Sequence, residues 1–162
     1  MKNVFAKGSF IVLTLLFAAA FGLFAAWRMK QPQPADADLA ALGDALQASG
    51  LLQSSKPGSA RECKKNFGLS SDAYEEILYF SPVTFMDVEE VLVIRAPEGA
   101  EAAARAMRTR LSELQKSFEN YGTFQSAMLK EAQIYDNGVY ACYAAGEHSR
   151  EIMMLIREEI EE

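Results

Sequence analysis

The chain predicts an α+β fold: a two-layer sandwich with a mainly antiparallel four-stranded sheet in β-β-α-β-β-α order, preceded by an N-terminal transmembrane helix and a short helix. Three observations carry that expectation. Positions 8–27 hold 20 residues without a charge, enough as a helix to span about 30 Å of hydrocarbon. Further along, apolar residues recurring at steps of three and four mark two long amphipathic helices. Runs of β-branched and aromatic residues, bounded by proline or joined through Asn137-Gly138, mark four strands.

The apolar segment has no polar stripe of the kind a soluble core helix shows. Trp27 stands at its end, where an indole favours the interface, and Arg28 and Lys30 follow. The run is longer than the apolar region of a secretory signal, which favours a retained anchor, although Ala18-Ala19-Ala20 and Ala25-Ala26 offer small-residue cleavage sites. The segment holds no cysteine to accept a lipid. Its export-like layout places the body on the extracytoplasmic side of a cell membrane, in a single-pass arrangement. The chain thus divides into a membrane anchor or signal segment (1–30), a proline-bearing tether (31–38) and an extracytoplasmic α+β domain (39–162).

Within the domain, Leu39, Leu42 and Leu46 recur at helical spacing, with Asp36 or Asp38 as N-cap and Gly50 as the stop. Residues 53–60 (QSSKPGSA) have the composition of a loop. A short helix runs through Cys63 and Phe67 to Gly68. The first two strands are expected at Tyr74 to Phe80 and Val91 to Ala96, with at most one helical turn, Met86 to Glu90, between them. The clearest helix begins at Pro97-Glu98 and carries Ala100, Ala104, Met107, Leu111, Leu114 and Phe118 on one side, ending at Gly122. A short helix around Ala127 and Met128 leads into a hairpin, Ile134 to Asp136 and Val139 to Ala144. Asn137-Gly138 suits a type I′ turn, which requires positive φ at both central positions. That turn sets Tyr135 opposite Tyr140 and Ile134 opposite Ala141. Ile152, Leu155, Ile156 and Ile160 line the last helix. Apolar groups fall on both faces of the sheet, so the second face needs either the first helix or a partner to cover it.

All 22 carboxylates lie at or after Asp36, where 12 basic groups accompany them, a net charge of −10. A body that acidic repels phosphate backbones, and Arg105, Arg108, Arg110 and Lys116 are spaced as one solvated helix side, so nucleic acid is not an expected partner. His148, the only histidine, lies in a polar stretch without an organised partner. No set of ligands for a metal is apparent, no phosphate loop or nucleophile elbow appears, and no cofactor or catalytic residue is expected. Glu75-Glu76 and Glu89-Glu90 look like paired carboxylates, but neighbours in a strand point to opposite faces. Cys63 and Cys142 either form a disulfide, contributing about 4 kcal/mol in the chain-entropy model, or remain buried thiols. Tyr135, Tyr140 and Tyr79 are the candidates for an aromatic partner-binding patch, set against packing beneath a helix.

Asn66-Phe67-Gly68-Leu69, Asp72-Ala73-Tyr74-Glu75-Glu76 with a strand ending near Pro82, and Met86 with Glu89 to Ile94 form one half of a pattern. Arg110-Leu111, Phe118, Tyr121, Gln125, Ala132, Gly138 and Val139-Tyr140 form the other. Together, over roughly Leu39 to Ala145, they resemble the uncharacterised domain-of-unknown-function family 4358, found in exported proteins of Gram-positive bacteria. The chain departs from that family in lacking a lipid-accepting cysteine and in having Gly122-Thr123 where a proline tends to follow the tyrosine. The resemblance implies an extracytoplasmic α+β domain and brings no catalytic residues with it. The expected role is a non-catalytic interaction module meeting an envelope protein or wall component. The alternative is a small-ligand-binding or hydrolytic domain that uses surface carboxylates.

Overall fold

The computed structural model describes residues 17–22, 36–120 and 122–161. The chain forms two compact units, 1–33 and 34–162. In the first, residues 17–22 are helical, with Phe17 and Phe21 exposed. Most of the apolar segment expected to cross a membrane, and most of the tether, lies outside the described residues. Among those described, no helix is long and apolar enough to cross a membrane.

The second unit begins with α1 (Leu39–Ala48), whose first amides are met by the Asp38 carboxylate: Ala40 and Ala41 both donate to its Oδ1 at 3.0 Å. A three-residue strand, β1 (Ser55–Pro57), precedes α2 (Ala60–Phe67). Ser59 and Glu62 form a capping box at the start of α2, and Gly68 closes it in the left-handed conformation at φ 72°. Next come a 3-10 turn (Ser71–Ala73), β2 (Glu76–Pro82), β3 (Glu90–Arg95) and the long α3 (Glu101–Phe118). The chain continues through α4 (Thr123–Glu131), β4 (Gln133–Asp136), β5 (Tyr140–Ala145) and α5 (Ser149–Glu161).

The sheet has five strands in the order β1-β2-β3-β5-β4, and every neighbouring pair is antiparallel. The fifth strand is β1, within the stretch expected to be a loop. Ser55 pairs with Pro82 and Pro57 with Phe80, and the flanking Gly58 N–H donates to Tyr79 O at 2.8 Å. A three-residue edge strand shows no period to read, and Lys56 and Pro57 are residues that keep an edge from recruiting another chain.

The expectation of two layers is also corrected, because helices cover both faces. Leu92, Ile94, Ala141 and Tyr143 pack under α2, α3 and α4, with Cys63, Phe67, Met107, Phe118 and Leu129 in the same cluster. Val91, Val93, Tyr140, Cys142 and Ala144 pack on the opposite side under α1 and α5, against Leu39, Leu42, Leu46, Ile152, Ile156 and Ile160. The cause lies in β3 and β5, where Val91 to Ile94 and all of β5 are buried. Strands apolar on both faces need cover on both, and each large side chain so buried contributes about 1.5–3 kcal/mol. The first helix thus supplies the second face's cover together with the last.

The hairpin differs from expectation in detail. Asp136 pairs with Ala141, Tyr135 with Cys142 and Ile134 with Tyr143. Asn137 donates to Tyr140 O at 3.2 Å, which leaves Gly138 and Val139 as the two loop residues. Gly138 has φ 91°, whereas Asn137 does not have positive φ, so the type I′ turn is not formed. Glycine at the first central position is instead the arrangement of a type II′ turn. The Asn137 side chain is committed elsewhere, its Oδ1 accepting from Val139 N and Tyr140 N. Pairing therefore moves by two residues, and a shift of two preserves the side-chain faces. Tyr135 and Tyr140 remain on one face, as expected.

Candidate interaction site

The three tyrosines expected to form a patch do not come together. Tyr79 lies on the α3 side of the sheet, where its hydroxyl donates to Glu90 Oε1 at 2.6 Å. Tyr140 lies on the α1 side, fully buried, and its hydroxyl accepts from Ala37 N at 3.1 Å. Tyr135 is half-buried on that same side, with the Arg157 guanidinium 4.6 Å from its ring centre. Burial, then its bond to the Glu161 carboxylate, raises the Tyr135 phenol above its ordinary range. Tyr79 and Tyr140 thus pack inside the domain, on opposite sides of the sheet, and Tyr135 is partly exposed. The cysteines are likewise separated by the sheet, Cys63 in the α3-side cluster and Cys142 in the α1-side cluster, and both are free thiols. The disulfide weighed from the sequence is therefore not made. Burial pushes the Cys63 thiol up to about 11, aided by the nearby Glu90, and that of Cys142 up to about 12. Neither is an activated nucleophile.

The paired carboxylates are also dispersed. Glu75 pairs with Arg95 at 2.8 Å, and Arg95 reaches Asp36 at the same distance. Glu89 turns toward β1, accepting at 2.8 Å from Ser54 N and from Ser55 Oγ. Glu90 points to the α3 side and is fully buried. There it accepts from Tyr79 and, at 3.2 Å, from Asn66 Nδ2, while Arg110 Nε donates to its Oε2 at 3.1 Å. Asn66 also donates to Tyr79 Oη at 2.8 Å, and the Arg110 guanidinium lies 5.9 Å from the centre of the Phe67 ring. Arg110, expected on a solvated helix side, is therefore drawn inward. Four residues from α2, β2, β3 and α3 satisfy one another. This closed network ties helices to sheet and leaves its carboxylate with no open side for a substrate. Among the described residues, no group of three or more His, Cys, Asp or Glu is gathered to hold a metal ion.

The opposite departure occurs at the end of the sheet beyond Glu90. The turn between β2 and β3 carries Val83, Phe85 and Met86 into solvent, and Phe124 of α4 is exposed beside it. Phe85 is 89% exposed and Phe124 64%. The turn is built rather than loose: Thr84 N and Thr84 Oγ1 both donate to Asp87 Oδ2 at 2.8 Å, and Asp87 N donates to Thr84 O at 3.2 Å. Gln125 Nε2 donates to Met86 O at 3.3 Å, which holds the turn to the first residues of α4. Between them lies a hollow of about 160 Å³ with a mixed lining, in which Met86, Val88, Phe124 and Met128 are apolar and Gln53, Ser54, Asp87, Glu89, Gln125 and Glu147 polar or charged. His148 lies at the same end, its Nε2 3.4 Å from Gln53 Nε2.

Sequence reasoning missed this tip. The only signal was Val83-Thr84-Phe85-Met86, a largely apolar run in a turn, between Pro82 and Asp87. Solitary exposed apolar residues are ordinary, but here four stand at one end of the sheet, and two of them, Met86 and Phe124, line the hollow.

Residues 48–146 match the family described as a domain of unknown function, DUF4358. No curated protein and no solved structure matches the chain. The matched stretch takes in all five strands, the buried Glu90 network and the exposed tip. The chain therefore belongs to the DUF4358 family.

Proposed function

We propose that this chain is a membrane-anchored, non-catalytic interaction module of the cell envelope, with its body on the extracytoplasmic side, and that it contacts its partner through the tip between β2 and β3. The observation that carries the reading is the convergence of Val83, Phe85, Met86 and Phe124 at one end of the sheet, on a turn fixed by Thr84, Asp87 and Gln125. Large apolar side chains held in water by a hydrogen-bonded turn gain by burial against another surface. The non-catalytic part is supported by the state of the reactive groups in the domain: the buried carboxylates are occupied by Arg110, Tyr79, Asn66, Ser54 and Ser55, and both thiols are raised by burial. Anchoring is supported by the uncharged run at 8–27 and by Trp27, Arg28 and Lys30 at its end.

The test is a photo-cross-linking residue placed at Phe85 in the full chain in cells, beside a control at Arg108, an exposed position on α3. A discrete cross-linked partner from position 85, weak or absent from 108, supports the module. Equal and diffuse labelling from both positions removes the tip from the interaction.

A further inference from the structure

From the shape, charge and position of the hollow at the tip, we infer that it receives a protein segment presenting one apolar side chain between lysines or arginines. This deepens the proposed function and rests on it. Three observations on the same end of the sheet carry the inference.

Size comes first. The hollow is about 160 Å³. A cavity of about 150 Å³ holds one benzene ring, so this space takes one phenyl or isobutyl group and not a helix. Met86, Val88, Phe124 and Met128 form the apolar part of a mixed lining that also includes Gln53, Ser54 and Gln125, and the two methionine side chains can adjust to different shapes.

Charge comes second. The stretches that meet at the tip are 53–54, 83–89, 123–129 and 146–148. They contain Asp87, Glu89 and Glu147 and no lysine or arginine. Glu89 is buried and occupied by Ser54 and Ser55, and Asp87 is half-buried with its Oδ2 bonded to Thr84. The Glu147 carboxylate is exposed, and both Asp87 and Glu147 line the hollow. The rest of the domain adds to the field, with its net charge of −10 after position 30. An apolar side chain flanked by cations matches both the apolar part of the lining and its carboxylates, whereas one flanked by carboxylates is repelled.

Position comes third. The described domain starts at Asp36, held by Arg95, and Ala37, held by Tyr140. Arg95 and Tyr140 pair at one end of the central strands, while the tip lies past the other end, where Glu90 pairs with Ala145. Those ends are about 17 Å apart at the usual rise of a strand. The last helix also runs back from Ser149, bonded to Glu131 O, to Glu161 beside Tyr135. Both described ends of the domain thus lie toward the other end of the sheet from the hollow.

The experiment uses the full chain in lipid nanodiscs and three labelled pentapeptide probes: Lys-Lys-Phe-Lys-Lys, Lys-Lys-Ala-Lys-Lys and Glu-Glu-Phe-Glu-Glu. The first is expected to bind about tenfold or more tightly than either other probe. Its binding is expected to weaken when salt rises from about 0.05 to 0.5 M. Phe124→Ala and Glu147→Lys, both at exposed positions, are each expected to weaken it by about tenfold with the unfolding transition unchanged. Equal binding of the three probes, or preference for the acidic one, overturns the inference. Concentration-dependent self-association abolished by Phe85→Ser, or capture of free phosphatidylcholine liposomes by nanodisc-held protein through Phe85, overturns it in favour of a second copy or a lipid surface. A position-85 cross-link to a protein without the peptide preference leaves the module standing and removes only this partner chemistry.

Discussion

Phe85 lies in the turn between β2 and β3 and Glu90 begins the strand that follows it, and each occupies the environment that its chemistry disfavours. Phe85 is 89% exposed, whereas the Glu90 carboxylate is fully buried. The difference between them is in their partners. Glu90 is met by Tyr79, Asn66 and Arg110, which together offset the loss of water around its charge. Phe85 projects from a turn held by Thr84 and Asp87 with nothing over its ring to offset its exposure. A misplaced group that is fully satisfied belongs to the architecture. One that is held out and left uncovered points to a contact still to be made.

The largest effect is expected where the satisfied member is broken. Glu90→Ala strands the Arg110 guanidinium in a largely buried site and removes the acceptor of Tyr79 and Asn66. Breaking a buried pair on one side costs about 3–5 kcal/mol, and urea unfolding of the variant measures it. The double variant Glu90→Leu with Arg110→Leu sharpens the point, because it leaves no unpaired charge. It is expected to recover most of the loss. If Glu90→Ala unfolds at the wild-type midpoint, the network is not what ties α2 and α3 to the sheet.

The two thiols provide an intermediate effect with a defined sign. Burial raises both, Cys63 to about 11 and Cys142 to about 12, from an ordinary value of 9.0. The folded state therefore keeps protons that the unfolded chain releases above about pH 9. The stabilisation is complete below pH 9 and is lost as pH rises through 11 to 12. Unfolding midpoints should fall across that window, and a Cys63→Ala, Cys142→Ala variant should show a shallower fall than the parent. An equally steep fall in the variant would assign the alkaline loss to other groups. In the folded chain at pH 8 neither thiol should react with iodoacetamide at a rate near that of the unfolded chain.

A smaller effect tests the far end of the sheet. Tyr140→Phe removes the acceptor of the Ala37 N–H and leaves the ring in place. A lost buried hydrogen bond costs about 1–3 kcal/mol, and calorimetry of the variant reads it directly. No loss would mean that the Ala37 bond contributes little to fixing the start of the domain.

What was legible in the sequence follows from which signals are periodic. The helices α3 and α5 announce themselves because their apolar side repeats over many turns, and β3 and β5 because Val91 to Ile94 and Val139 to Ala144 are unbroken apolar runs. The same runs implied cover on both faces, although not that it would come from both α1 and α5. The strand β1 was hidden because three residues, one of them proline, carry no repeat. The hairpin register was misjudged because Asn137-Gly138 suits two different turns, and only the backbone angle at Asn137 distinguishes them. At the site the loss was greater. Period two places Glu89 and Glu90 on opposite faces but does not say that either is buried. The exposure of Phe85 leaves no mark in the sequence, because composition does not reveal that Thr84 and Asp87 fix the turn that carries it.

The smallest expected change in stability is therefore the one that decides the comparison. Phe85→Ser removes an aromatic ring that the rest of the domain scarcely touches, so the unfolding free energy should shift by no more than about 0.5 kcal/mol. A loss of a few kcal/mol would show that Phe85 packs within its own domain, and would place it with Glu90 among the internal supports. If stability holds, the same variant becomes a clean probe of contact. Serine preserves the turn's fit to solvent while deleting the apolar area that a partner would cover. Binding of its partner should then weaken by at least about tenfold, roughly 1.4 kcal/mol, if the ring is an anchor of the contact. A ring that costs the fold nothing to remove and costs the complex much is what separates a surface kept for contact from one merely left over.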